Sequence, residues 1–186
     1  MPERAPSNSA GTLAPAGPAA AGGTSPQAPV LCETCSAEET EALGAQLASG
    51  LVAGDVVLLR GELGSGKTTL VRGVARALGV KSAVTSPTFT IGQRYRGSAA
   101  VVSHIDLYRL GEAIGEEEGL LAEYLDDESI VLVEWPPSGR GGLPPAHLTV
   151  TLTHLGGDRR GVELDTSTAP GASPADPGLG LDEGER

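Results

Sequence analysis

The stretch GELGSGKTT at residues 61–69 constrains this chain more than any other feature: Gly61, four residues, then Gly66, Lys67 and Thr68. That is the spacing of a phosphate-binding P-loop, in which glycines bring backbone N–H groups close to an anion without side-chain clash. Lys67 would reach the outer phosphates, and the Thr68 hydroxyl suits Mg²⁺. Only two lysines occur against eleven arginines, so Lys67 is a rare residue in the required place. A compact ammonium fits a backbone cradle better than a forked guanidinium.

The flanks agree with the motif. DVVLLR (Asp55–Arg60) is an apolar run that predicts a buried strand. After the loop, Leu70, Val74, Ala77 and Leu78 recur at helical spacing, and Gly79 supplies a stop. Strand, glycine loop and helix follow in the order a P-loop needs.

The rest of the chain bounds the architecture. Residues 1–29 contain six Pro, four Gly and eight Ala without periodicity, which predicts a disordered tail rather than a signal peptide. Residues 166–186 read the same way, with an acidic end. The intervening 30–165 is long enough for one core. No run of 18 apolar residues occurs, so no membrane span is expected and the cytoplasm is the default location. Between residues 30 and 165 nineteen acidic residues face eleven basic ones, a net of −8, which disfavours unaided binding to a nucleic-acid backbone. If RNA is involved, another subunit holds it. Cys32 and Cys35 are spaced like half a zinc site or a redox pair, but no second Cys or His pair completes a set, so two bland thiols are the preferred reading.

Along this core, Val30–Thr34 predicts an edge strand, and Ser36 with Glu39 has capping-box spacing ahead of a helix that ends near Gly50. Ser86-Pro87 forces an extended turn before a short β-type run. Ala99–Asp106 and Ser129–Pro137 predict strands with an acid at the carboxyl end. Between them, Glu112–Glu128 carries eight carboxylates and no base, which predicts a solvated amphipathic helix, broken at Gly115 and Gly119. His147–His154 and Gly161–Asp165 alternate around Gly156-Gly157 and predict a hairpin. The expected class is α/β, P-loop NTPase-like: a mixed, mostly parallel sheet flanked by helices, with disordered tails.

Ligands of such sheets sit at the carboxyl ends of strands, where Asp106, Glu134 and the P-loop all fall. A P-loop needs a carboxylate near Mg²⁺. Glu134, after the more uniformly apolar strand, is favoured as that acid; Asp106 can fix the metal, position the attacking water, or both. His104 suits burial with a satisfied hydrogen bond better than catalysis. Trp135, on an extended strand, would point opposite to Glu134, toward a helix or a partner. Arg109 is equally a surface group or a charge-neutralising one, and is assigned no catalytic role.

Four stretches together, GELGSGKTT, SPTFT, HIDLYRL and VEWP at 61–69, 86–90, 104–110 and 133–136, resemble the TsaE (YjeE) family, the bacterial ATPase of the machinery that makes threonylcarbamoyladenosine at position 37 of tRNAs. The resemblance implies a small Mg²⁺-dependent ATPase, weak alone and stimulated by TsaD-like and TsaB-like partners, that meets tRNA only indirectly. It also implies a site. ATP would be held by Glu62, Leu63, Gly64, Ser65, Gly66, Lys67, Thr68 and Thr69, with Thr40 as the loosest match. Thr68 and Glu134 would hold the metal, and Lys67, Asp106 and Glu134 would act in catalysis. Ser86 to Thr88 match a switch-like loop near the γ-phosphate. The glycine- and glutamate-rich segment after HIDLYRL and the long tails depart from the family pattern.

Three rival readings remain at this stage. A P-loop small-molecule kinase would need an acceptor site and a lid, for which the core leaves little chain. A GTPase lacks an Asn-Lys-x-Asp stretch to read guanine. A non-catalytic, nucleotide-gated assembly module would bind without turnover.

Overall fold

The computed structural model describes residues 30–87, 90–110, 118–137 and 142–166. The expected tails (apart from Thr166), Thr88 and Phe89 of the SPTFT stretch and residues 112–117 of the acidic segment lie outside these. Seven strands form one sheet: β1 (Val30–Thr34), β2 (Val56–Arg60), β3 (Gly92–Arg96), β4 (Val101–Asp106), β5 (Ser129–Glu134), β6 (Leu148–His154) and β7 (Arg160–Asp165), in spatial order β1-β7-β6-β2-β5-β4-β3. The four central strands β6, β2, β5 and β4 are parallel neighbours, while β3 pairs antiparallel with β4 and β7 antiparallel with β6 and β1. β6 and β7 make the expected hairpin, and β1 is the expected edge.

Every residue of β5 is buried, as a strand covered on both faces requires. On one face Ile130 and Leu132 of β5 meet Leu70, Val71 and Val74 of α2 (Lys67–Ala77), with α1 (Ala37–Ala48) alongside. On the other, Val131 and Val133 meet Ile105, Leu107, Leu121 and Leu143. Each fully buried side chain of this size contributes about 1.5–3 kcal/mol.

Both long helices thus share one face. They cross so closely that a Cβ on Gly73 would overlap the Glu41 carbonyl oxygen, and one on Gly44 the Leu70 carbonyl oxygen. Ser36 caps α1 as its sequence predicts, its Oγ accepting from Glu39 N at 3.1 Å. The reciprocal bond differs: Glu39 Oε2 accepts from Cys35 N, one residue before the cap.

The acidic segment departs from expectation. Among its described residues only Glu118–Leu121 (α3) is helical. Leu121 is buried in the second core, Tyr124 packs against Gly92 of β3, and Asp126 pairs with Arg94 at 2.6 Å. These contacts with β3 and β4 turn the chain at Tyr124, and tertiary packing overrides the helical periodicity.

Candidate functional site

Parallel register brings the two acids side by side. Asp106 at the end of β4 pairs with Glu134 at the end of β5, and Glu134 also pairs with Leu59 of β2, the strand that feeds the P-loop. Three chain segments far apart in sequence therefore finish at one edge of the sheet.

The loop takes its shape from glycine. Gly61, Gly64 and Gly66 have φ of +135°, +76° and +103°, a region other residues rarely adopt. A Cβ on Gly61 would also strike the Leu152 carbonyl oxygen. Gly66 begins α2 with no side-chain cap, so the first-turn N–H groups are left to an outside acceptor. An anion is the natural one, since the helix end carries partial positive charge. Ser65 is fully buried with its Oγ lacking a partner among the described residues.

Lys67 is buried beneath this loop. Its Nζ donates to Gly61 O and Glu62 O, both at 2.9 Å, and lies 3.8 Å from the centre of the Trp135 ring. Burial holds its pKa below the usual lysine range, partly opposed by the charges of Glu134 and Asp106. Thr68, one residue on, turns to the acids: its Oγ1 donates to Glu134 Oε1 at 2.7 Å. The same Oε1 lies 2.8 Å from His104 Nε2. Asp106 is tied differently, with Oδ2 accepting from Ser86 Oγ at 2.5 Å and Oδ1 from Tyr108 N at 3.0 Å. The Ser86-Pro87 turn is thereby fastened to the end of β4, and a cavity of about 120 Å³ lined by Pro87, Ile91 and Tyr108 opens beside Asp106.

Trp135 corrects the sequence reading. β5 ends at Glu134, and Trp135 itself has φ +57°, a strained value for a bulky residue. The change of hand swings its indole back over Lys67, and the Tyr108 ring packs against it at 4.8 Å between centroids. The extended strand expected at Trp135 has ended one residue earlier, while the expected packing toward a helix holds, since Lys67 is the first residue of α2.

Arg160, at the start of β7, is a site neighbour that sequence reasoning missed. Its guanidinium reaches Gly64 O at 3.4 Å, and its Nε is buried without a partner among the described residues. The only trace in the sequence was its place just after the Gly156-Gly157 turn. Thr40 also faces the loop: its methyl approaches Gly66, while its hydroxyl is taken by Thr34 Oγ1 at 2.8 Å and Ser36 O at 3.0 Å. Glu62, Leu63 and Gly64 are exposed at the loop's tip and Thr69 is half-buried. Arg109 is exposed beside the Asp106 cavity. Cys32 and Cys35 are free thiols on the far edge, and burial pushes the Cys32 pKa up, away from reactive thiolate.

The donor set fits a hard divalent ion. A hydroxyl that gives its hydrogen to Glu134 keeps its lone pairs for a cation, and Mg²⁺ is commonly held by one or two protein oxygens together with phosphates and water. No group of three or more His, Cys, Asp or Glu side chains poised for a metal occurs among the described residues, so a softer, fully protein-ligated ion is poorly served.

Comparison with known proteins shows which family the chain resembles. A family model described as "Threonylcarbamoyl adenosine biosynthesis protein TsaE" matches residues 34–162. A Bacillus subtilis protein named tRNA threonylcarbamoyladenosine biosynthesis protein TsaE is 38% identical over 139 residues, 74% of this chain and 84% of the relative. The Streptomyces coelicolor protein of the same name is 47% identical over 95 residues, 50% of this chain and 64% of the relative. Among solved structures, Bacillus subtilis YdiB superposes with a TM-score of 0.60 at 30% identity, covering 74% of this chain and 86% of that one.

Proposed function

This chain belongs to the TsaE family, and from that premise we propose that it is the Mg²⁺-dependent ATP-hydrolysing subunit needed to form the threonylcarbamoyl group on adenosine 37 of tRNAs reading ANN codons. It acts in the cytoplasm with TsaD-like and TsaB-like subunits, which carry the tRNA. Among the described residues no helix is long and apolar enough to cross a membrane. The observation that carries the reading is the meeting of Thr68 with Glu134, beside Asp106, at the mouth of a glycine-built anion cradle.

In this reading the uncapped N–H groups of α2 and the Lys67 ammonium hold the β- and γ-phosphates, and Arg160 adds positive charge at Gly64. Thr68 and Glu134 would hold Mg²⁺, which supplies charge neutralisation on the phosphates. Asp106 retains acceptor capacity beyond its bonds to Ser86 and Tyr108, because a carboxylate has about four lone-pair sites. It orients the water that attacks the γ-phosphorus as the bond to ADP breaks. Catalysis of this kind is mostly positioning and electrostatics, and an added arginine is worth roughly 10³–10⁵ in rate, so a partner supplying one would stimulate turnover.

The test is an assay of phosphate release from ATP with Mg²⁺, by the chain alone and with TsaD-like and TsaB-like subunits, alongside tRNA modification. Partner-stimulated release is expected. Modification supported fully by a hydrolysis-dead Glu134→Gln form would instead favour a nucleotide-gated assembly role.

A further inference from the structure

His104 is fully buried on β4, two residues before Asp106. Period-two alternation puts both on one face, and the β4–β5 register makes His104 the diagonal neighbour of Glu134. Its Nε2 lies 2.8 Å from Glu134 Oε1, the oxygen that also accepts from Thr68. Its other ring nitrogen, Nδ1, is buried with no partner among the described residues. An apolar side chain would fill this position without stranding a polar atom, so packing alone does not account for a histidine.

We propose that His104 is a positioning residue for Glu134. Two donors converge on one carboxylate oxygen, which locks the side-chain rotamer and leaves Oε2 free of hydrogen bonds among the described residues. Ionised Glu134 can only accept, so the hydrogen between the pair resides on Nε2, the tautomer with a bare Nδ1. His104 touches neither nucleotide nor metal; it acts through Glu134, as groups behind a ligand commonly do. The inference rests on the metal-holding role of Glu134 given above.

The experiment measures ADP affinity by calorimetry with and without Mg²⁺, with melting curves to verify folding. The unsubstituted protein should bind ADP more tightly with Mg²⁺. In His104→Leu that gain should shrink about 10–100-fold while Mg²⁺-free affinity holds, and His104→Gln, whose amide N–H reaches about as far as Nε2, should restore most of it. A full Mg²⁺ gain in a folded His104→Leu protein overturns the assignment. No gain in the unsubstituted protein overturns the metal reading itself, and this inference with it. Should His104→Leu fail to fold, nuclear magnetic resonance of the unsubstituted protein decides. A slowly exchanging His104 Nε2–H signal should move when Mg²⁺ is added to the ADP complex, and an unmoved signal overturns the proposal.

Discussion

Thr68 and Glu134 stand 66 positions apart in the chain, yet Oγ1 of one donates to Oε1 of the other across 2.7 Å. If the pair works as a unit on one ion, its losses should not add. Thr68→Ala and Glu134→Gln are each expected to remove most of the Mg²⁺-dependent gain in nucleotide affinity, and the double variant little more. The expected coupling is about 0.5–3 kcal/mol, the range for residues in direct contact. Binding measured across the four-protein cycle checks this, and simple additivity would contradict it.

Lys67 should leave a mark on the pH dependence of stability. Burial keeps its folded pKa below the ordinary value of 10.5. In the window between the two, the unfolded chain binds more protons than the folded one, so this residue makes stability rise with pH. Below the folded value the cost of burying the ammonium is present in full. Urea unfolding of Lys67→Met and of the parent, from pH 7 to pH 10, should therefore show the difference moving in the parent's favour as pH rises. Movement the other way would place the shift in the wrong direction.

Asp106 accepts from the Ser86 hydroxyl and the Tyr108 N–H and is not hydrogen-bonded to Thr68 or Lys67. Asp106→Asn should leave nucleotide affinity within about threefold and lower partner-stimulated hydrolysis by about 10²–10⁴, the usual worth of a group that handles the proton of an attacking water. Normal turnover in the presence of both partners would remove it from the mechanism.

Gly73 tests the packing that sets the P-loop helix in place. An exposed helical Gly→Ala change gains roughly 0.5–1 kcal/mol. Here the added methyl meets the Glu41 carbonyl oxygen, a backbone atom that cannot swing aside. Gly73→Ala should cost about 1–3 kcal/mol instead, as overpacked sites do, read from the urea midpoint. A stabilised variant would mean that α1 and α2 are looser than drawn.

Much of the site was legible before any coordinates. Glycine spacing around Lys67 announces the anion cradle, because positive φ and close approach leave few other residues admissible. The uniformly apolar run before Glu134 announces a strand buried on both faces, and the largely apolar run before Asp106 announces another. Those are local demands of backbone conformation and burial, and local demands leave marks in sequence. The order of the strands, the register that sets Asp106 against Glu134, the indole of Trp135 swung over Lys67, and Arg160 arriving from β7 leave no such mark. Nor does the early end of the acidic helix, where Leu121 and Tyr124 are claimed by the second core and β3. Each depends on contacts between segments tens of residues apart. Which side chains meet there is decided only when the whole sheet closes its hydrogen bonds and both faces bury their apolar surface together.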